Sequence, residues 1–555
     1  MRVAPSEKEL LSSGPKGVPS SDEYTICRTK GCLDAAKTYL KNMNRSVDPC
    51  DNFYKFACGG FVESTIIPVT IVCFSRSNDR IRFTNNHVSS DAIETQSLKS
   101  LRDILNKLGG WPVLSGDRWS DRNFDWKSSI SKVRDAGYDV KYLIFISIFY
   151  DLRNSTKRSI YVRINHEMYL CPLTTQATIE RPKERPVVLR REDISLYYNP
   201  MTLTELKNNY SGIPWTDYFA KLLPSGDTIA EDEVVVVSDQ NYVSNLVQLI
   251  EVTSKRTLAN YVIGRIVADS VSYMNRDIRA RELALLTMLT GVTERKPRWK
   301  ECINAVSGPL SLGVGALMIG RLETPLPSMR CTRMERTPLV NSPIAYFRGI
   351  VCRGYSINVH FFRAEIPAGI LQGVFFSDDR PKYTNYGGIG FVIGHEITHG
   401  FDQVGSQFDK DGNLANWWAT TTKENIVKRA QCMIHQYGNY TVEEVELKTV
   451  NENIADNGGI KAAYLAYGDW VLKNQPEKQL PGLNYTSNQM FWISVANGWC
   501  TKYTKEILRH MVATDSHSPA EWRIVGSLSN MPQFSKDFNC TIGSKMNPID
   551  KCFVW

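Results

Sequence analysis

Residues 387–402 read GGIGFVIGHEITHGFD. Phe391, Ile393, Ile397 and Phe401 make an apolar pattern compatible with a helix. On that helix His395 and His399 are four residues apart, so both imidazoles leave the same face. Two nitrogens placed that way can share one Zn2+ at about 2.0–2.1 Å. Glu396 follows His395 directly and can reach a water held beside the ion. A chain of this composition produces HExxH by chance roughly 0.01 times, so the motif outweighs the plainer reading of two ordinary helix histidines. His166-Glu167 starts the same way but has no second histidine, and it reads as a loop pair.

A catalytic zinc takes three protein donors and keeps one position open, so a third donor is required. The candidate is Glu452 in NENIADNGGIKAAYLAY, residues 451–467. Asp456 follows four residues later on the same helical face, where it can hydrogen-bond a ligand imidazole. Alone, this pair is a common pattern of solvated helix charges. Beside HExxH it supplies the carboxylate that the metal site lacks.

The rest of the chain bounds the setting. Its 555 residues are 42% hydrophobic and 10% aromatic, enough apolar surface for a large core, which excludes a disordered chain. Lys and Arg (66) exceed Asp and Glu (58) by only eight, and the charges are interspersed. The one tight basic cluster, Arg295–Lys300, carries Pro297 and Trp299 and reads as a solvated turn leading into a helix. No nucleic-acid partner is expected. The longest near-apolar stretch, Tyr142–Tyr150, is far shorter than the roughly 18 residues that cross a bilayer and reads as a buried strand. Residues 1–23 are Ser/Pro/Lys-rich, read as a mobile tail, and show no apolar core of a signal peptide. Thirteen cysteines and six N-x-S/T sequons, at Asn44, Asn154, Asn209, Asn439, Asn484 and Asn539, nevertheless favour an extracellular chain.

From about 95 to 320 the pattern is mostly helical, with amphipathic spacing at Ile250, Val252, Leu258, Tyr261, Val262 and Ile266 and again over Arg281–Leu289. Residues 64–92 show no period, and no element is expected there. Pro309, Pro325, Pro327, Pro338 and Pro343 break helical continuity and mark a linker at 321–344.

Several motifs together carry a resemblance. HEITHGFD, ENIADNGG, PAGILQ (Pro367–Gln372), NYGGIGFVIGHE, QFDKDGNLANWW, TDSHSP (Thr514–Pro519) and the terminal CFVW resemble the neprilysin and endothelin-converting-enzyme family of zinc metallopeptidases (M13-type) almost continuously over 365–555. DPCDNFYKFACGG, RWKEC and LGVGALMI extend the likeness more weakly through 24–62 and 95–318. The resemblance implies one Zn2+ per chain held by His395, His399 and Glu452, with Glu396 as general base. It implies that Asp456 and Asp402 support the ligands, that His517 stabilises the oxyanion with Asp515 orienting it, and that Arg523 binds a substrate backbone carbonyl. Val392, Ile370, Phe375 and Trp499 would line or border the pocket for the residue after the cleaved bond. Disulfides would join Cys27 to Cys32, Cys50 to Cys540, Cys58 to Cys500 and Cys432 to Cys552.

The expected fold is mainly α (α+β) and two-lobed. A thermolysin-like zinc lobe spans 345–555, with segment 24–62 tied to it by disulfides. A mainly helical lobe over 63–320 covers the site. The expected activity is zinc-dependent cleavage of extracellular oligopeptides on the amino side of bulky hydrophobic residues. The family is often membrane-anchored, but no span is visible in this chain. The sequence departs from the family pattern in four places, one of them the segment 64–92. The interval 319–366 is shortened and lacks an Asn-Ala-aromatic strand that grips the substrate, with Asn358-Val359 or Cys352-Arg353 as its remnant. Asn52 stands where aspartate is usual, and Gln372-Gly373-Val374 where Gln-Pro-Pro is usual. Cys73 is the stand-in partner for Cys302, and Cys171, Cys331 and Cys352 have no assigned partners. These departures motivate an alternative, a catalytically impaired peptide-binding homologue with an intact zinc site, and an expectation of weak peptide binding where the edge strand is lost.

Overall fold

The computed structural model describes residues 26–67, 90–138, 142–164, 193–220, 228–295, 301, 358–360, 363–366, 370–442, 445–446 and 450–553. The tail, the linker at 321–344, His166-Glu167, and Cys73, Cys171, Cys302, Cys331 and Cys352 lie outside the described residues. The chain divides into two compact units. One comprises 1–78, 286–410 and 416–555, the other 79–285 and 411–415.

The first unit begins with two capped helices. In α1 (Lys30–Asn42) the Thr29 hydroxyl accepts from Cys32 N, and in α2 (Phe53–Ser64) the Asn52 side chain accepts from Lys55 N. Asparagine caps a helix as well as aspartate does, so the departure at Asn52 leaves the start of α2 intact. Phe53 is fully buried and meets Phe534 edge-on at 4.8 Å, in a core that also holds Phe491 and Trp492. The four disulfides Cys27–Cys32, Cys50–Cys540, Cys58–Cys500 and Cys432–Cys552 form as the family likeness implies. Two of them fasten the N-terminal segment to the C-terminal part of the chain.

The second unit is not purely helical. It contains a four-stranded sheet of β1 (Ile144–Tyr150), β2 (Arg158–Ile164), β3 (Asn199–Thr202) and β4 (Val234–Val237), in the order β1-β2-β4-β3. β1 runs antiparallel to β2 (Ile146 opposite Val162), β2 runs parallel to β4 (Val162 opposite Val237), and β3 runs antiparallel to β4. β1 is the strand expected at Tyr142–Tyr150, but it is not buried along its length. Ile144 is inside, whereas Ile148 is 60% and Tyr150 37% exposed, so one face of β1 is open to solvent near its end. The amphipathic run at 250–266 is two helices, α3 (Gln240–Val252) and α4 (Lys255–Ser270). Ile250, Leu258, Val262 and Ile266 enter the core, while Val252 ends α3 at 83% exposure. Among the described residues no helix is long and apolar enough to cross a membrane.

Back in the first unit, β5 (Asn358–His360) and β6 (Arg363–Glu365) pair antiparallel, and both lie against α5 (Phe391–His399), the helix of the HEITH motif. Of the two remnants considered for the substrate-gripping strand, Asn358-Val359 lies in a strand beside the histidine helix, and Cys352-Arg353 lies outside the described residues. α6 (Thr420–Gly438), α7 (Val450–Lys473), α8 (Ser487–Asn497) and α9 (Ala520–Ser529) complete the unit around α5.

Candidate active site

The site is built where α5 and α7 cross with their backbones in contact. A Cβ on Gly394 would lie 2.6 Å from Gly459 O, and one on Gly459 would lie 2.4 Å from His395 N. Real Cβ atoms do not approach so closely, so glycine at both positions is what permits the crossing. The approach sets the first turn of α7, and with it Glu452, opposite the two histidines. A carboxylate is also favoured at a helix N-terminus.

Three donor atoms converge. His395 Nε2 and His399 Nε2 are 3.1 Å apart, and Glu452 Oε2 is 3.3 Å from each. Ligand bonds of about 2.0–2.1 Å at tetrahedral angles separate their donors by about 3.3 Å. Glu452 Oε2 is buried, and the groups that face it are imidazole nitrogens, those of His395 and His399 at 3.3 Å and that of His517 at 3.0 Å. A carboxylate oxygen facing two imidazole lone pairs at tetrahedral spacing fits a zinc ion. No fourth protein donor belongs to the group among the described residues, which is the pattern of a catalytic rather than a structural zinc.

Carboxylates hold the ligand rings from behind. Asp456 Oδ1 is 2.8 Å from His395 Nδ1, and Asp402 Oδ2 is 2.8 Å from His399 Nδ1. A proton held on each Nδ1 leaves the Nε2 lone pair for the metal. Asp402 is itself fixed by the backbone N–H groups of Val404 and Gly405 on its other oxygen. Burial works against charge on Glu452, but the imidazoles of His395, His399 and His517 outweigh it and hold its carboxyl far below the usual range.

Glu396 stands between the two histidines on α5, half-buried. Burial pushes its carboxyl up, partly offset by the imidazoles of His395 and His399. His517 comes from the loop before α9. Its Nε2 is 3.0 Å from Glu452 Oε2 and its Nδ1 2.8 Å from Asp515 Oδ1. The Asp515 bond, aided by Glu452, raises His517 to about 9. Arg523 is buried, donating from Nε to Asp456 Oδ2 (2.8 Å) and from Nη2 to Asp456 Oδ1 (2.6 Å), with its guanidinium 3.9 Å above the Trp499 ring. Trp499 also meets Phe391 edge-on at 6.0 Å. Val392 is half-buried one turn before Glu396, and Phe375 Cε1 lies 3.6 Å from where a Cβ on Gly498 would sit, beside Trp499. Ile370 is half-buried in the segment leading to Phe375.

Sequence reasoning missed the tie that carries His517. Ser518 Oγ donates to Asn453 Oδ1 at 2.8 Å, both residues buried, so the loop is fastened to the residue next to Glu452. It also missed the polar layer behind α7, where Asn457 Nδ2 donates to Asn453 O and Asn530 Nδ2 to Asn457 Oδ1. Both asparagines lie in the ENIADN run, but their partners are too distant in sequence to be read from it.

Comparison with known proteins agrees with this site. Residues 356–554 and 176–325 each match peptidase family M13. The chain is 33% identical to Neprilysin-2 of Drosophila melanogaster, over 97% of this chain and 90% of that protein. It is 28% identical to human membrane metallo-endopeptidase-like 1, over 99% and 91%. The alignment to the fly protein runs over 698 positions, more than the 555 residues here, so that relative carries internal stretches without a counterpart in this chain. The fold matches a Mycobacterium tuberculosis zinc metalloprotease, Zmp1, solved with an inhibitor, at a TM-score of 0.68 and 18% identity over 90% of this chain and 96% of that one. The alternative of an impaired peptide-binding homologue finds no support in these comparisons.

Proposed function

Since the chain belongs to peptidase family M13 and is a zinc metalloendopeptidase, we propose that it hydrolyses extracellular oligopeptides on the amino side of bulky hydrophobic residues, with Glu396 as the base. The observation that carries this reading is the convergence of His395, His399 and Glu452 at tetrahedral spacing, with the half-buried Glu396 carboxyl close enough to interact with both histidines. Bound there, zinc would supply Lewis-acid chemistry, polarising the peptide carbonyl and lowering the pKa of water towards about 7.

The chain's own groups do the rest. Glu396 takes one proton from the attacking water as its oxygen bonds to the carbonyl carbon. His517, held by Asp515, donates to the oxygen on which negative charge develops. The C–N bond then breaks and Glu396 delivers its proton to the leaving amine. Arg523 donates to a backbone carbonyl of the substrate, from a guanidinium that Asp456 and Trp499 keep in one orientation. Phe375, Trp499 and Val392 favour an apolar side chain after the cleaved bond.

An extracellular setting is supported by the four disulfides and by five sequon asparagines, Asn154, Asn209, Asn439, Asn484 and Asn539, that are exposed to a glycosylating enzyme. The test is a fluorogenic peptide with phenylalanine at one internal position, with and without chelator, and mass analysis of products. Chelator-sensitive cleavage on the amino side of phenylalanine is expected. Protein carrying one equivalent of zinc that leaves the peptide whole would overturn the reading.

A further inference from the structure

Arg380 is buried at 7% exposure, and its hydrogen bonds go to uncharged oxygens, with the Asp379 carboxylate acting on its charge from beside it. Nη1 donates to Gly373 O (2.8 Å), Nη2 to Val374 O (3.0 Å) and Nε to Asn385 Oδ1 (3.0 Å). Burial lowers its pKa, the mark of a cation held out of water at a cost to stability. A planar fork that grips two successive carbonyls fixes the direction of the backbone between them, which a single hydrogen bond does not.

The gripped backbone runs straight into Phe375. Gly373 sits at φ +61°, a left-handed turn, exposed and with open space where a Cβ would stand. The turn is closed by Phe375 N donating to Gln372 O at 3.3 Å and held from inside by the Arg380 fork. Just beyond it Phe375 O accepts from Ile389 N at 2.9 Å, in the π-helical turn Tyr386–Gly390 that leads into α5. Asn385, which receives Arg380 Nε, is bonded through the same side chain to Ser377 N (3.1 Å) and Ser377 O (2.6 Å). The loop 373–377 is thus pinned on both sides of Phe375 to the lead-in of the metal-binding helix.

We propose that Arg380 is a positioning residue for the pocket that receives the substrate side chain after the cleaved bond: by clamping Gly373 and Val374 it sets where Phe375 stands, and so how strongly the enzyme prefers a large apolar side chain. This rests on the reading above that Phe375 borders that pocket. The hydrogen bonds of Arg380 go to Gly373, Val374 and Asn385 and to none of the metal-binding groups, so its effect is on discrimination between substrates rather than on the chemical step.

The test compares two peptides that differ only in phenylalanine or alanine after the cleaved bond, in the full chain. Arg380→Met keeps the stem and removes the fork, and it should cut the kcat/KM preference for phenylalanine by about tenfold, through KM, with zinc content and kcat on the alanine peptide unchanged. Arg380→Lys, which restores charge and one donor, should recover part of the preference. Gly373→Ala strains the same turn without a clash and should shift the preference in the same direction, which serves where Arg380→Met does not give soluble protein. Phe375→Ala reports on the pocket itself. If it abolishes the preference while Arg380→Met and Gly373→Ala leave it intact, the positioning role is overturned and the pocket reading stands. If Phe375→Ala leaves the preference intact, the pocket reading fails and the proposal falls with it.

Discussion

Asp456 and Arg523 form a two-point ion pair inside the protein, Nε to Oδ2 at 2.8 Å and Nη2 to Oδ1 at 2.6 Å, and the same Oδ1 lies 2.8 Å from His395 Nδ1. One fully buried carboxylate thus orients both a metal-ligand ring and an arginine proposed to hold the substrate. Burial pushes Asp456 up, but the Arg523 charge and His395 outweigh it and keep its carboxyl below the ordinary range.

Arg523→Ala should therefore have two effects. kcat/KM should fall by about tenfold or more as a backbone contact is lost. The protein should also lose about 3–5 kcal/mol, because Asp456 is left buried without its cation. Urea unfolding at matched zinc occupancy reads the second effect, and an unchanged midpoint would show that the pair does not hold α7 to α9.

Glu396→Gln and Glu452→Val should separate chemistry from metal binding. The amide at 396 cannot take a proton, but it leaves His395, His399 and Glu452 untouched, so zinc stays at one equivalent while turnover vanishes. Valine at 452 removes one of three donors, so zinc should be lost on dialysis. Elemental analysis of both purified variants decides. Loss of zinc from Glu396→Gln would remove that residue from the role of base.

Gly459→Ala should weaken zinc binding from outside the donor set. The added methyl would meet His395 N at 2.4 Å, so α5 and α7 must separate and carry Glu452 away from the imidazoles. Competition with a chelator of known affinity should show at least about a tenfold loss, larger than for Gly468→Ala on the same helix, where no atom lies within 4 Å of the new Cβ. Equal affinities for the two variants would show that the crossing tolerates the methyl.

Reduction should loosen the first unit. Cys50–Cys540 and Cys58–Cys500 close loops of 490 and 442 residues, and opening a native disulfide typically removes about 2–5 kcal/mol. The thermal midpoint should fall in reducing buffer, and a Cys58→Ser, Cys500→Ser double variant should show part of that fall without reductant. Identical melting curves in both buffers would count against the cross-links as a source of stability.

What the sequence by itself determined is what local geometry encodes. The helical period puts His395 and His399 on one face, Glu396 next to His395 in the chain and Asp456 one turn from Glu452, so most of the metal centre was legible from spacing. The disulfide partners were legible only through likeness to a family, since spacing leaves their pairing open. The tertiary structure decided the rest, because it concerns partners brought together by packing rather than by period. It made Gly394 and Gly459 the contact that sets the donor distances. It gave Asp456 its second partner in Arg523, and it turned Arg380 inward onto the Gly373–Val374 turn. It kept a strand at Asn358 whose residues no longer spell the expected motif, since strand pairing runs through backbone N–H and C=O groups that every residue but proline supplies. The sheet of the second unit was hidden for the same reason. β2 and β4 are parallel neighbours more than 70 residues apart, and no short-range pattern announces which distant strands will meet.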